Sequence, residues 1–287
     1  MLNKDAAKAA SNRLQAAVEE HSKCLEEAIE HSERLYAVRK ESSYGIVTDV
    51  ETYVNSLANT PKEYDRTFAE YRVERTAFDG LVAKVDVQLC DIAIKGVGGA
   101  GAGIATGAAT AFMGPTAAIA IATTFGTAST GAAITTLSGA AATNAALAWL
   151  GGGAIAAGGG GMVAGNALLA LAGPVGWTLA GLAFAGGAVW VAHSNSKVAD
   201  ETNTIRLKVE AAIRSLKAST HSISELYNLT YQHVAGMEKI LKELVKQKIT
   251  DYREMSEKNK CLLIALVNHI QTLSSLLNKT IDIEPKT

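Results

Sequence analysis

Between Lys95 and Lys197 the chain carries no Asp, Glu, Lys or Arg, a run of 101 residues from Gly96 to Ser196 in which only His193 can titrate. Charged side chains are what a protein normally shows to water, so a segment this long without them must be covered by the rest of the protein or by lipid. All 55 formal charges fall in the other 186 residues, and 23 of the 26 glycines fall inside the uncharged block. The sequence therefore divides into an N-terminal amphipathic helical arm (1–95), an uncharged Gly/Ala-rich membrane-inserting region (96–196) and a C-terminal amphipathic helical arm (197–287).

A hydrocarbon core of roughly 30 Å takes a helix of about 20 apolar residues, so the block has room for up to four passes. Its strongest candidate span is Leu168 to Ala192, where Thr178 is the one hydroxyl and Trp190 followed by His193, Ser194 and Asn195 makes an interfacial exit. A second runs from Thr143 to Gly165. The earlier stretch, Gly96 to Leu137, is rich in threonine and suits a wet lumen wall better than a lone anchor. In lipid, helices associate by close backbone approach, which small residues at every fourth position allow. Gly99, Gly103 and Gly107 form one such stripe, and Gly153, Ala157, Gly161 and Gly165 a second. The helix-packing and interfacial candidates are thus Gly99, Gly103, Gly107, Gly153, Gly161 and Gly165, together with Trp149, Trp177 and Trp190. Gly114-Pro115 and Gly173-Pro174 mark kinks. The same block also admits another reading, an Ala/Gly-rich helical core buried inside an oligomer that never meets lipid.

The arms predict an all-α fold, an elongated long-helix bundle or coiled coil around a central Gly/Ala-rich hydrophobic helical hairpin region. From Asp5 to about Val54, Leu14, Val18, Leu25, Ile29 and Leu35 recur at helical spacing with polar residues opposite, which reads as one long helix. Asn59-Thr60-Pro61 signals a turn, after which Tyr64, Phe68, Tyr71, Phe78, Leu81 and Val85 predict a second helix. In the C-terminal arm Ile205, Val209, Ile213, Leu216, Ile223, Leu226, Ile240, Leu244 and Val245 recur at three and four residues. That arm is either one unbroken helix or a helical hairpin folded at Asp251 to Lys260. Packing the arms on each other buries both stripes.

Several chemistries are set aside. A net charge of −1 supplies no basic footprint for nucleic acid. Gly96-Val97-Gly98-Gly99-Ala100-Gly101 fits the dinucleotide pattern, but no acidic residue follows before Asp200 to hold a ribose. His21, Cys24 and His31 read as a solvated helix face rather than the start of a metal site. His193 reads as a membrane-edge histidine, with a pH sensor as its sharper alternative. His221, His233 and His269 are scattered without a nameable partner. Three distant cysteines, Cys24, Cys90 and Cys261, do not read as a disulfide framework. No residues assemble a nucleophile, a base and an oxyanion site, so the chain reads as a non-enzyme with no cofactor, metal or small-molecule substrate. Its start has no Sec-type apolar core, and membrane association reached from a soluble form is the expectation.

Long amphipathic arms flanking an uncharged hydrophobic insert resemble, as architecture, the α-helical pore-forming toxins of the cytolysin A type. In that family a hydrophobic hairpin stored against the bundle swings into the bilayer on oligomerisation. The block here is longer than one hairpin needs. The run Thr136 to Gly165 is similar to glycine-zipper segments of bacterial membrane-associated proteins, which implies a bacterial source and membrane contact. Together the resemblances imply a pore-forming protein whose partners are the lipid bilayer and copies of itself or related helical subunits. A membrane-anchored coiled-coil scaffold and a soluble helical component of a toxin or secretion assembly are the other readings.

Overall fold

The computed structural model describes residues 2–98, 122–128, 130–150 and 195–281. Among them the fold is all-α, a bundle of long helices with no strand. The helices are α1 (Leu2–Tyr44), α2 (Ile46–Ser56), α3 (Lys62–Gly98), α4 (Gly139–Leu150), α5 (Asn195–Lys246) and α6 (Glu257–Leu277). The glycines at 99, 103, 107, 153, 161 and 165, Trp177, Trp190 and the candidate span Leu168 to Ala192 lie outside the described residues.

The spacing of buried positions explains why α1 and α5 run so far. In α1, Ala10, Leu14, Ala17, His21, Cys24, Ala28, Ser32, Leu35, Arg39 and Ser42 are buried, three or four residues apart throughout. In α5 the buried seam is stricter, for Thr202, Val209, Leu216, Ile223, Thr230, Met237 and Leu244 each follow the last by seven. A seven-residue recurrence keeps one face of a helix against its neighbours turn after turn, which is coiled-coil packing. Two buried hydroxyls of α5 are satisfied on their own helix, for Ser219 and Thr230 donate to the carbonyls of Ser215 (3.0 Å) and Leu226 (2.7 Å). Of the residues predicted to line α5, Ile205 and Val245 are exposed.

The predicted single helix over 5–54 is interrupted at Gly45, which separates α1 from α2. Gly45 leaves helical geometry (φ −98°, ψ −101°), and a Cβ there would stand 2.9 Å from the Glu41 carbonyl oxygen. Glycine accepts that approach and a side chain would not. The C-terminal arm folds as a hairpin, with the break at 247–256. Lys248 takes a left-handed conformation (φ 53°) where α5 ends, and Ser256 caps α6 by accepting from the Asn259 amide at 3.3 Å.

The described residues pack as two compact units. Unit 1 draws on Met1–Glu30, Val85–His221 and Thr280–Thr287, and unit 2 on His31–Lys84 and Ser222–Lys279. In unit 2 one apolar core collects Val47, Val50 and Val54 from α2, Phe68, Tyr71 and Phe78 from α3, Met237 and Leu244 from α5, and Leu263, Leu266, Ile270 and Leu273 from α6. The two turns of this unit are knitted together: Ala58 donates to Thr250 O at 2.8 Å, Tyr252 to Ala58 O at 2.9 Å, and Asn59 Nδ2 to Asp251 Oδ2 at 2.8 Å. Arg39 is buried and donates to Lys279 O at 3.2 Å, just past the end of α6, where a cation suits the helix dipole. Burial pushes its guanidinium down to about 10, so it stays charged at neutral pH.

Within unit 1, α1 and α5 are joined at the surface by Lys217 Nζ and Glu20 Oε1, 2.6 Å apart. Both groups are exposed, and the pair orients more than it stabilises. The expectation of a solvated face for His21 and Cys24 is corrected here: both are only 4% exposed. They occupy the seam of α1, which the polar letters around them conceal in the sequence.

Candidate functional site

The region that sequence reasoning singles out is the uncharged block, and the described part of its interior, 122–128 and 130–150, folds within unit 1. A helical end at 122–125 runs into a tight turn. Gly126 N–H bonds Ala122 O at 2.9 Å, Ile134 N–H returns to Gly126 O at 3.0 Å, and Ala128 N–H bonds Ala132 O at 2.7 Å. The turn needs Gly131, whose φ of +80° is left-handed. Beyond it, α4 brings back Ala146, Leu147 and Trp149.

This piece buries its large side chains in protein. Phe125 is 2% exposed, Ile134 0% and Trp149 3%. Gly126 is the meeting point, since a Cβ there would lie 2.4 Å from Ala122 O, 2.9 Å from Trp149 Cδ1 and 3.0 Å from Ile134 Cδ1. Ile281 closes the arrangement. It is 5% exposed, and its amide donates to Phe125 O at 2.6 Å. Trp149 Nε1 is buried and has no hydrogen-bond partner among the described residues, a cost of about 1–3 kcal/mol. Gly126→Ala is expected to destabilise this packing by about 1–3 kcal/mol, because the Ala122 oxygen at 2.4 Å is backbone and cannot rotate away. Hydrogen exchange of residues 122–150 checks it, and unchanged protection would mean that Gly126 is not the close contact described.

Of the predicted site residues, Trp149 alone lies in the described region, on α4 and inside unit 1. The described eight residues of the candidate span Thr143 to Gly165 are its first eight, all helical. Among the described residues α6 is the one helix long and apolar enough to cross a membrane by length and composition. Its apolar positions line the core of unit 2.

Nothing in the described residues gathers three or more His, Cys, Asp or Glu side chains in a form that holds a metal ion. A shallow cavity of about 340 Å³ on unit 2 is lined by Thr67, Glu70, Glu74, Gln271, Ser274 and Ser275. It brings two carboxylates beside hydroxyls and an amide. A polar juxtaposition that sequence reasoning missed lies in unit 2. His233 on α5 and His269 on α6 place their Nδ1 atoms 2.7 Å apart. Each stands eighteen residues from Asp251, so a hairpin folded there brings them level.

Comparison of the chain with protein-family models, with curated proteins and with solved structures gives no match.

Proposed function

We propose that this protein is a membrane-inserting, oligomerising α-helical pore former, with the helical bundle as its water-soluble form and the uncharged block as its membrane element. The observation that carries the reading is the 101-residue block without a charge, set between two heptad-patterned arms. The described part of that block supports storage in water, because Phe125, Ile134 and Trp149 are covered by protein. Lipid would replace that cover at little net cost, since hydrocarbon is as apolar as the packing it displaces. The buried indole N–H of Trp149 would gain partners at a bilayer interface, where tryptophan is favoured.

In this reading the partners are the lipid bilayer and further copies of this chain or related helical subunits. Catalysis, nucleic acid and a small-molecule substrate play no part. The glycine stripes at 99, 103 and 107 and at 153, 161 and 165 bring inserted helices together, and threonines of the block face the lumen.

The test is release of a trapped dye from liposomes by purified, detergent-free protein, with binding followed by flotation. Leakage together with flotation is expected. Flotation with sealed vesicles would replace the reading by a membrane-anchored scaffold, and failure to float by a soluble helical component of a larger assembly. Gly103→Leu combined with Gly161→Leu is expected to abolish oligomerisation on vesicles, read by crosslinking, while leaving circular dichroism in water unchanged. Retained oligomers would remove the stripes from the mechanism.

A further inference from the structure

His233 and His269 make a short contact that the packing of unit 2 has been shaped to admit. Their rings meet edge to face with centroids 4.9 Å apart, and both residues are half-buried. His233 continues the α5 series Ala212, Ser219 and Leu226 at seven-residue intervals, so a histidine stands where the recurrence calls for a core residue. Across from it Gly236, the one glycine in α5, makes space for the other ring: a Cβ at 236 would stand 3.1 Å from both Cε1 and Nε2 of His269. A glycine inside a helix costs about 1 kcal/mol relative to alanine. Here that cost has a structural counterpart, the seat of an imidazole.

Two ring nitrogens at 2.7 Å cannot both be bare and cannot both be protonated without losing the bond. One Nδ1 carries the proton and the other accepts it, so the neutral pair consists of one Nδ1–H and one Nε2–H tautomer. A first added proton goes to the free Nε2 of the donor ring. The bond survives and becomes charge-assisted. A second added proton must take the accepting Nδ1, which breaks the bond and leaves two cations facing each other in a half-buried site.

We infer that the His233–His269 contact is an acid-released clasp, closed with no or one added proton and opened by the second, which frees α6 from α5. The neighbours favour this behaviour. One turn to either side, neither helix carries a charged side chain. No carboxylate or ammonium of α1, α2 or α3 acts on His269 among the described residues; burial first, and then His233, hold its imidazole below the usual histidine range. The unfolded chain therefore binds the proton at higher pH than the folded hairpin does. The clasp contributes fully above pH about 6.5 and is lost as pH falls through the depressed value. The inference stands apart from the membrane reading, since it concerns unit 2 in water.

The test compares the full-length protein with His233→Asn/His269→Asn, in which amide groups near the Nδ1 positions keep a hydrogen bond and cannot titrate. Hydrogen exchange of residues 222–279, corrected for the intrinsic pH effect, is expected to lose protection in the native chain as pH falls from 7 to 5. The Asn pair is expected to lose none. The His269 Cε1–H resonance should titrate below the usual histidine range. Equal losses in both proteins, or a His269 titration in the ordinary histidine range, would overturn the clasp. Should the double variant not fold, His269→Asn alone serves, and its loss of protection between pH 7 and pH 5 should be smaller than that of the native chain.

Discussion

Replacing Phe78 by alanine is expected to destabilise unit 2 by about 4 kcal/mol. The ring is 1% exposed and sits in the shared core, its centroid 6.2 Å from that of Tyr36. Two terms add: the lost transfer of a phenyl group out of water, and the cavity left between helices that cannot close around it. Phe78 belongs to α3 but is held by side chains of other helices, so its loss should be felt outside α3. Protection of α6 against hydrogen exchange reports this, since Leu266 and Ile270 belong to the same core. Val73→Ala is the matched control on the same helix. Val73 is 69% exposed, and its truncation should fall within about 0.5 kcal/mol. A Phe78→Ala protein that loses less than about 1 kcal/mol would mean that the ring does not fill the core described.

Phe78 was legible from spacing alone, as were Tyr64, Phe68 and Tyr71, because a wide apolar stripe on a polar background has one way to be buried. The hairpin break was legible only as one of two alternatives, since helical periodicity on both sides of Asp251 to Lys260 is compatible with an unbroken helix as well as with a fold there. Gly45 was not read as a break. An isolated glycine in a helical pattern is compatible with continuation, and only the approach of Glu41 O shows why the chain turns there. His21 and Cys24 were misread because the letters Glu-Glu-His-Ser-Lys-Cys look solvated. Extending the steps of four and three from Leu14 and Ala17 reaches 21, 24 and 28 and would have placed both inside. The His233–His269 contact needed the hairpin's midpoint, which the sequence located only to within ten residues. For the uncharged block, a period cannot be read where almost every residue is small. The tertiary cover of Phe125, Ile134 and Trp149, including a contact from Ile281, leaves no local signal.

Lowering the pH from 7 to 4 is expected to cost unit 1 about 3 kcal/mol through His21 alone. The imidazole is 4% exposed, and burial lowers it from 6.5 to about 4. Above pH 6.5 the folded and unfolded chains both carry it neutral. Between 6.5 and 4 the unfolded chain takes up a proton that the folded one excludes, so stability is lost as pH falls and the loss is complete below about 4. His21→Leu should abolish this slope. At neutral pH the same variant should be no weaker, and up to about 1 kcal/mol stronger, because Nε2 of His21 is buried without a partner among the described residues. Urea unfolding of both proteins across pH 7 to 4 reads the difference, which should grow steadily as acid is added. A constant difference would mean that His21 is solvated or paired in the folded state. The site matters for the proposed function because unit 1 also holds the described part of the uncharged block. A group that weakens this unit in acid lowers the cost of releasing Phe125, Ile134 and Trp149 from their protein cover. Dye release by the native chain should then be faster at pH 5 than at pH 7, and His21→Leu should slow the acid reaction by more than it slows the neutral one.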